Sequence, residues 1–130
     1  MNRRVSTGIA LGVCLAASTA WAHHNMTALF DFNDRVTFTG TLSKLDWGNP
    51  HIYLYVEAKN AAGQMETWAV EGPAPSFFRA HDFSKSDFAT VIGKSVTVEA
   101  SRARDHSLTG LLRILTLPDG RLVSACPQNC

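Results

Sequence analysis

The chain has 130 residues, of which 45% are hydrophobic, and a formal net charge of +1 at neutral pH. This length corresponds to one domain with a single modest hydrophobic core. A nearly neutral chain gives no electrostatic reason to expect nucleic acid or an anionic membrane as a partner.

The first 22 residues have the three parts of a cleavable secretory signal. Arg3 and Arg4 form a basic head, residues 5–20 form an uncharged apolar run, and Ala-Trp-Ala follows at 20–22. A membrane anchor is disfavoured, because a spanning helix needs ~20 apolar residues and this run is shorter and interrupted by serine and threonine. A lipoprotein is disfavoured, because a bulky valine precedes the cysteine of the run. We therefore expect removal of residues 1–22 and a periplasmic or secreted protein without further membrane association.

The mature chain is expected to have three parts and no internal repeat. These are an N-terminal arm over residues 23–34, one β domain over 35–125 and a cysteine-containing tail over 126–130. In an oxidising compartment the two mature cysteines, Cys126 and Cys130, are expected to form a disulfide. Metal ligation by the pair and two free thiols are the alternatives.

Alternating apolar and polar residues predict β-strands along most of the domain. In the first strand, over residues 35–46, the apolar phase slips by one residue after Leu42, which is typical of a β-bulge. The second strand covers residues 51–58, with Ile52, Leu54 and Val56 on one face. The remaining predicted elements are strands over 65–71, 95–101, 111–117 and 122–125, and short helical turns over 76–81 and 84–88.

This order of elements predicts a mostly β fold. Three strands in a meander, a helical connection and two or three further strands match a small OB-like Greek-key barrel of 5-6 strands, whose short helical connection lies between strands 3 and 4. An open β-sandwich is the alternative.

A histidine at the mature N-terminus is the first candidate site. Cleavage after Ala22 would leave His23 first and His24 second. The α-amine and ring of an N-terminal histidine can chelate one metal ion, and a third nitrogen from another histidine would complete a site that suits copper. The alternative is a solvated arm in which two histidines happen to follow the cleavage site.

The sequence Trp-Gly-Asn-Pro-His at 47–51 is the second candidate. It breaks the first strand and puts His51 at a strand mouth, where it could supply the third nitrogen. In the structural alternative, Trp47 belongs to the core, Asn49 caps a turn and His51 is a hydrogen-bonded edge residue.

Two further groups of residues could bind a ligand. Tyr53 and Tyr55 share the outer face of the second strand with His51, which is where OB barrels receive ligands; packing beneath the N-terminal arm is an equal alternative. Arg102, Arg104 and Asp105 lie in the loop between the fourth and fifth strands, which also rims such a face. The alternative for this loop is a solvated charged surface.

Motifs of the common catalytic sites are missing from the sequence. It contains no nucleophile elbow, no phosphate-binding glycine loop and no His-Glu-x-x-His, and its acidic residues show no pair suited to acid–base work. We therefore assign no catalytic residue and expect a binding protein.

The mature sequence contains the elements His23-His24-Asn25-Met26, Phe30-Asp31, Thr39-Gly40-Thr41, Trp47-x-Asn49-Pro50-His51, Trp68-x-Val70-Glu71-Gly72 and Arg102-Ala103-Arg104-Asp105. Together these elements resemble the exported bacterial family called domain of unknown function 6152. This resemblance implies an exported β-barrel-like domain and implies no particular activity. Asn25 stands where the family pattern has serine, His106 stands where it has glycine, and the cysteine tail looks like an addition.

Three functions follow from these residues. The first is a periplasmic protein that carries or buffers a metal ion, copper by preference, through His23, His24 and His51. The second is a metal-free OB-type module that binds a small ligand or a periplasmic protein partner on the face of His51, Tyr53 and Tyr55. A weaker third is a copper-dependent oxidase, because a histidine site with an open position can activate oxygen.

Overall fold

The computed structural model describes residues 26–125, and this part of the chain forms six strands and two short helices. A single helical turn over residues 26–29 precedes the first strand. No helix in the described range is long and apolar enough to cross a membrane. The elements are β1 (Phe30–Asp46), β2 (Tyr53–Lys59), β3 (Met65–Glu71), α1 (Pro75–Ala80), α2 (Lys85–Ala89), β4 (Ser95–Ala103), β5 (Thr109–Thr116) and β6 (Leu122–Ser124).

The strands close into a ring. The long strand β1 pairs antiparallel with β2 on one side and with β4 on the other. β3 pairs antiparallel with β2 and parallel with β5, and β5 returns to β4. Both helices lie between β3 and β4. The predicted OB-like Greek-key barrel is therefore confirmed, and the ring closure rules out the open sandwich for the described domain.

The predicted phase slip in β1 is a real irregularity of the sheet. The register between β1 and β2 shifts between Leu42 and Lys44, so Ser43 is the extra residue. Its hydroxyl donates to the Tyr55 carbonyl at 3.1 Å. A bulge bends the strand that carries it, and this bend lets one strand pair with β4 along its first half and with β2 along its second.

β1 begins at Phe30, earlier than the predicted start at residue 35. Phe30 pairs with Ala103 of β4 and is only 2% exposed, and Asp31 pairs with Arg102. Burial of this phenylalanine fixes the segment that the sequence assigned to an arm. A second irregularity between Asp31 and Arg35 interrupts the alternation, which explains why the pattern did not extend to residue 30.

The core fills the ring and is closed at one end by the helices. The predicted inward face of the second strand is confirmed, since Leu54 and Val56 of β2 and the preceding Ile52 are fully buried. Phe78 of α1 and Phe88 of α2 are also fully buried and meet edge to face with ring centroids 5.2 Å apart. The helices are short and owe their placement to this packing rather than to helix propensity.

Candidate functional site

A groove of about 520 Å³ opens on the outer side of β2 and β3. Residues 28–30 form one wall, Tyr53 of β2 and Glu71 of β3 lie on a second, and the loop that joins β4 to β5 contributes Arg104 and Asp105. The ring closure between β3 and β5 creates this site, because it brings the β4–β5 loop beside the end of β3.

Arg104 holds the N-terminal segment against the groove. Its backbone N–H donates to the Leu29 carbonyl at 2.9 Å. Its side-chain Nε donates to the Thr27 carbonyl at 2.9 Å, and its Nη1 lies 3.4 Å from Asp31 Oδ2. The predicted rim arginine therefore lines the groove, and its guanidinium also connects the β4–β5 loop to the segment that precedes β1.

Tyr53 and Glu71 form the polar part of the groove. They lie opposite each other in the β2–β3 ladder, and Glu71 is only 9% exposed. Burial, the negative charge of Glu71 and a hydrogen bond between the phenol and Glu71, in that order, raise the pKa of Tyr53. The site therefore keeps the phenol protonated, as a donor beside a mostly buried carboxylate.

His51 lies next to this pair. Its Nδ1 is 3.1 Å from the Gly72 carbonyl oxygen and 3.6 Å from Glu71 Oε1. A carbonyl oxygen can only accept, so in the neutral ring Nδ1 carries the proton and Nε2 carries the lone pair. The imidazole is 36% exposed, which leaves part of the ring accessible to a ligand.

The β4–β5 loop supplies a second carboxylate. The backbone N–H of Ser107 donates to Asp105 Oδ1 at 2.9 Å. Hydrogen bonds from the Ser107 side chain and backbone hold the pKa of Asp105 below its usual value. The loop is anchored to β3, because the Ala69 N–H donates to the Leu108 carbonyl at 2.9 Å. Asp105 is therefore an ionised group on a loop whose base is fixed.

Four predicted site residues lie elsewhere. Trp47 packs on Phe78 and Phe88, with centroid distances of 5.6 and 5.4 Å, so it belongs to the core edge as its structural alternative proposed. Asn49 lies in an exposed turn before a cis proline. Tyr55 makes a cation–π contact with Lys44. Arg102 contacts the Trp68 ring and the Asp34 carboxylate. None of these four lines the groove.

The remaining predicted residues lie outside the described range: His23 and His24 of the metal site and Cys126 and Cys130 of the disulfide. Among residues 26–125, no three His, Cys, Asp or Glu side chains are grouped so that they could hold a metal ion. A metal site that includes His51 would therefore need ligands from outside this range.

Glu71 is the site residue that sequence reasoning missed. It was noted as part of a family-like element and was given no role. The predicted hairpin between residues 58 and 65 already contains the signal, because pairing Lys59 with Met65 puts Tyr53 opposite Glu71. An acidic residue opposite an aromatic one at the end of a hairpin, and beside a histidine, could have been selected on that basis.

The family model described as a family of unknown function, DUF6152, matches residues 11–113. The chain belongs to this family. The match includes His51, Glu71 and the β4–β5 loop, and it ends before β6 and Cys126. No curated protein and no solved structure matches the chain. Membership in DUF6152 thus agrees with the resemblance seen in the sequence and leaves the function to the residues.

Proposed function

We propose that this member of DUF6152 is an exported periplasmic binding protein that carries or buffers copper through His23, His24 and His51. The observation that supports this best is the hydrogen bond from His51 Nδ1 to the Gly72 carbonyl, with the Glu71 carboxylate beside it. Metal-binding histidines commonly donate their other ring N–H to a backbone carbonyl or a carboxylate, which fixes the tautomer and orients the ring. His51 has this arrangement, and its Nε2 is the nitrogen left for a metal.

The position of the N-terminal segment also supports the proposal. Ala28 and Phe30 line the same groove as Glu71, whose carboxylate lies 3.6 Å from His51 Nδ1. An extended chain spans about 3.3–3.6 Å per residue. Residues 23 and 24 are only a few positions upstream of Ala28, so histidines there are within range of a site that includes His51.

Copper is the metal that this donor set favours. An α-amine and imidazoles are nitrogen donors, and Cu²⁺ has the highest affinity for such sites among the divalent first-row metals. A free α-amine has an ordinary pKa of about 7.7–8.0. Binding at neutral pH must therefore displace a proton from the amine. A chain extension that converts the His23 amine into an amide, and keeps both histidines away from the third position, removes this ligand.

The test compares copper affinities of three proteins by titration against a competing chelator. The processed protein that begins at His23 is the reference, one variant retains Ala20-Trp21-Ala22 ahead of His23, and the other carries His51→Ala. The three-residue extension keeps both histidines away from the third position, where a histidine would form a separate copper chelate with the free amine. We expect each variant to bind copper about tenfold or more weakly, which corresponds to a loss of ~1.4 kcal/mol or more. Equal affinity of the extended and processed proteins contradicts the proposal.

His81→Ala is the matched control. The His81 side chain is exposed, and its Nδ1 lies 2.8 Å from the Phe77 carbonyl oxygen, so it has the same kind of backbone hydrogen bond as His51. It lies just after α1, on the helical connection rather than on the groove. Copper affinity should stay unchanged in this variant. A loss as large as that of His51→Ala indicates nonspecific binding to surface histidines.

A second function is favoured by the groove itself. A concave site of this size with a few converging polar groups is typical of small-ligand binding, and Tyr53, predicted to face such a ligand, lies in it. This function is a metal-free module that binds a small molecule on the outer side of β2. Binding of such a molecule after removal of metal would support it.

A further inference from the structure

The groove has the dimensions and walls of a small-molecule site. Its volume of about 520 Å³ lies within the range of about 300–1,000 Å³ that is common for such sites. Apolar surface comes from Ala28, Leu29 and Ala103, together with the ring of Tyr53. Leu29 is 50% exposed, which leaves it available to a ligand. The walls therefore suit a ligand with an apolar part.

The charge of the groove is negative. Its charged lining residues are Glu71, Asp105 and Arg104. The Arg104 guanidinium is already paired with Asp31 and donates to the Thr27 carbonyl. The groove therefore has two carboxylates, Glu71 and Asp105, and one cation, Arg104, whose charge is already partly neutralised by Asp31. An anionic ligand would be repelled here, whereas a cation would be attracted.

Glu71 is the strongest feature of this charge. Its side chain is only 12% exposed, and the groups next to its carboxylate are the Tyr53 phenol and the His51 ring. Burying a carboxylate is costly unless it is paired and hydrogen-bonded. An ammonium or guanidinium group would form charge-assisted hydrogen bonds with it, which are about twice as strong as neutral ones. The phenol ring could also face the cation, since aromatic rings attract cations.

We propose that the groove binds a small organic cation, a primary amine or guanidine that carries a short apolar group. The cation pairs with Glu71 next to Tyr53, and the apolar group lies on Leu29 and Ala103. Asp105 is an exposed lining residue and adds negative charge to the groove. This inference rests on the second proposed function, the metal-free binding module, and names the class of ligand that the module binds. It requires no metal.

The test uses metal-free processed protein and three probes that share one ring: benzylammonium, benzyl alcohol and benzoate. Amide shifts in ¹H–¹⁵N spectra report the binding position. We expect benzylammonium to shift the amides of Glu71, Gly72 and residues 103–109 saturably. Benzyl alcohol should bind about tenfold or more weakly, and benzoate should not bind. Equal binding of the ammonium and the alcohol, or shifts spread over all surface carboxylates, would overturn the proposal.

Two variants identify the carboxylate. Glu71→Gln keeps the size of the side chain and should lower benzylammonium affinity about tenfold or more. Glu57→Gln is the matched control, because Glu57 is an exposed carboxylate on the same strand as Tyr53 that does not line the groove. If Glu71→Gln gives a poorly dispersed spectrum, Asp105→Asn replaces it and should weaken the cation several-fold while the alcohol is unaffected. Unchanged affinity in the folded variant overturns the proposal.

The N-terminally extended protein separates this proposal from the copper proposal. Retention of Ala20-Trp21-Ala22 ahead of His23 removes the His23 α-amine as the proposed copper ligand and changes no residue of the groove. Benzylammonium should therefore bind equally to the extended and processed proteins. Loss of amine binding in the extended protein would mean that the groove is not the site.

Discussion

Tyr53 and Glu71 lie directly opposite each other where β2 and β3 end, and the groove opens over the pair. The phenol faces a carboxylate that is mostly removed from water, and His51 lies 3.6 Å from the same carboxylate. The Tyr53 hydroxyl, the Glu71 carboxylate and the His51 imidazole thus lie close together on the outer face of the barrel. The neighbouring residues Leu54 and Val70 face inward and are fully buried. The antiparallel pairing of β2 with β3 puts Tyr53 opposite Glu71 and so brings these groups together.

Replacement of Glu71 should lower the pKa of Tyr53. The charge of Glu71 and its hydrogen bond are the second and third causes that raise this pKa, after burial of the phenol. In Glu71→Gln the pKa should fall toward 10.0, its ordinary value, and stay above it because burial remains. Alkaline titration of ¹³C-labelled tyrosine by NMR measures the shift.

Glu57→Gln serves as the control in this titration, since it removes an exposed carboxylate that lies four residues from Tyr53 along β2. Its Tyr53 titration should match that of the unmodified protein. A Tyr53 pKa that is the same in Glu71→Gln as in the unmodified protein contradicts the described contact between the two side chains.

Local patterns of the sequence predicted the strands and the barrel well. Alternation gave the inward face of β2, and the phase slip gave the bulge at Ser43. β3 begins and ends at the predicted residues 65 and 71. These features depend on neighbours along the chain or across one hairpin, where period-2 patterns carry the information.

The candidate site was predicted less completely, because it depends on contacts between distant segments. The groove requires the parallel pairing of β3 with β5 and the docking of residues 28–30 on Arg104. Neither contact has a local signal. The sequence left Trp47 open between a ligand-binding and a core position, and its packing on α1 and α2 puts it at the core edge. Its role is decided by α1 and α2, whose packing cannot be read from the Trp-Gly-Asn-Pro-His sequence.

Gly40 should not tolerate a larger residue. A Cβ at this position would clash with the Glu57 carbonyl oxygen and would lie 2.9 Å from Val56 Cγ1. Since one of these neighbours is backbone, the two strands must move apart. We expect Gly40→Ala to lower the free energy of unfolding by about 1–3 kcal/mol, as overpacking usually does. Urea unfolding followed by tryptophan fluorescence measures the change.

Gly48→Ala is the control for this substitution, because a Cβ there would meet no atom within 4 Å. Its stability should stay within about 0.5 kcal/mol of the unmodified protein. Equal stabilities of the two alanine variants would show that β1 and β2 do not approach as closely at Gly40 as described.

The exported protein should begin at His23. This expectation follows from the small residues at 20 and 22 after a short apolar run, and the proposed copper site requires it. Intact-mass spectrometry of protein isolated from the periplasm should give the mass of residues 23–130. A mass that includes the leader, or a lipidated start at Cys14, contradicts the expectation.

Cys126 and Cys130 should be joined to each other in the exported protein. If residues 1–22 are removed as expected, they are the two cysteines that remain, and in an oxidising compartment such a pair is expected to form a disulfide. Thiol labelling without reductant should therefore find no free sulfhydryl. The loop that they close is very short, so it removes little entropy from the unfolded chain. Replacement of both by serine should accordingly change the thermal midpoint little, and two labelled thiols in fresh extract would contradict the pairing.

Loss of the Arg104 side chain should loosen the wall of the groove without unfolding the domain. Arg104→Ala removes the hydrogen bond to the Thr27 carbonyl and the ion pair with Asp31. An exposed ion pair adds little to global stability, so the urea midpoint should change by only a small amount.

Hydrogen exchange of the backbone amides reports the local effect of this substitution. Exchange should accelerate in residues 27–31, because the hydrogen bond that fixes the preceding turn is gone, and it should stay unchanged in β3. Arg79→Ala, an exposed arginine at the end of α1, is the control and should leave exchange in residues 27–31 unaltered. If Arg104→Ala leaves that exchange unaltered as well, burial of Phe30 and the backbone pairing with β4 fix the segment, and the guanidinium plays no part in shaping the groove.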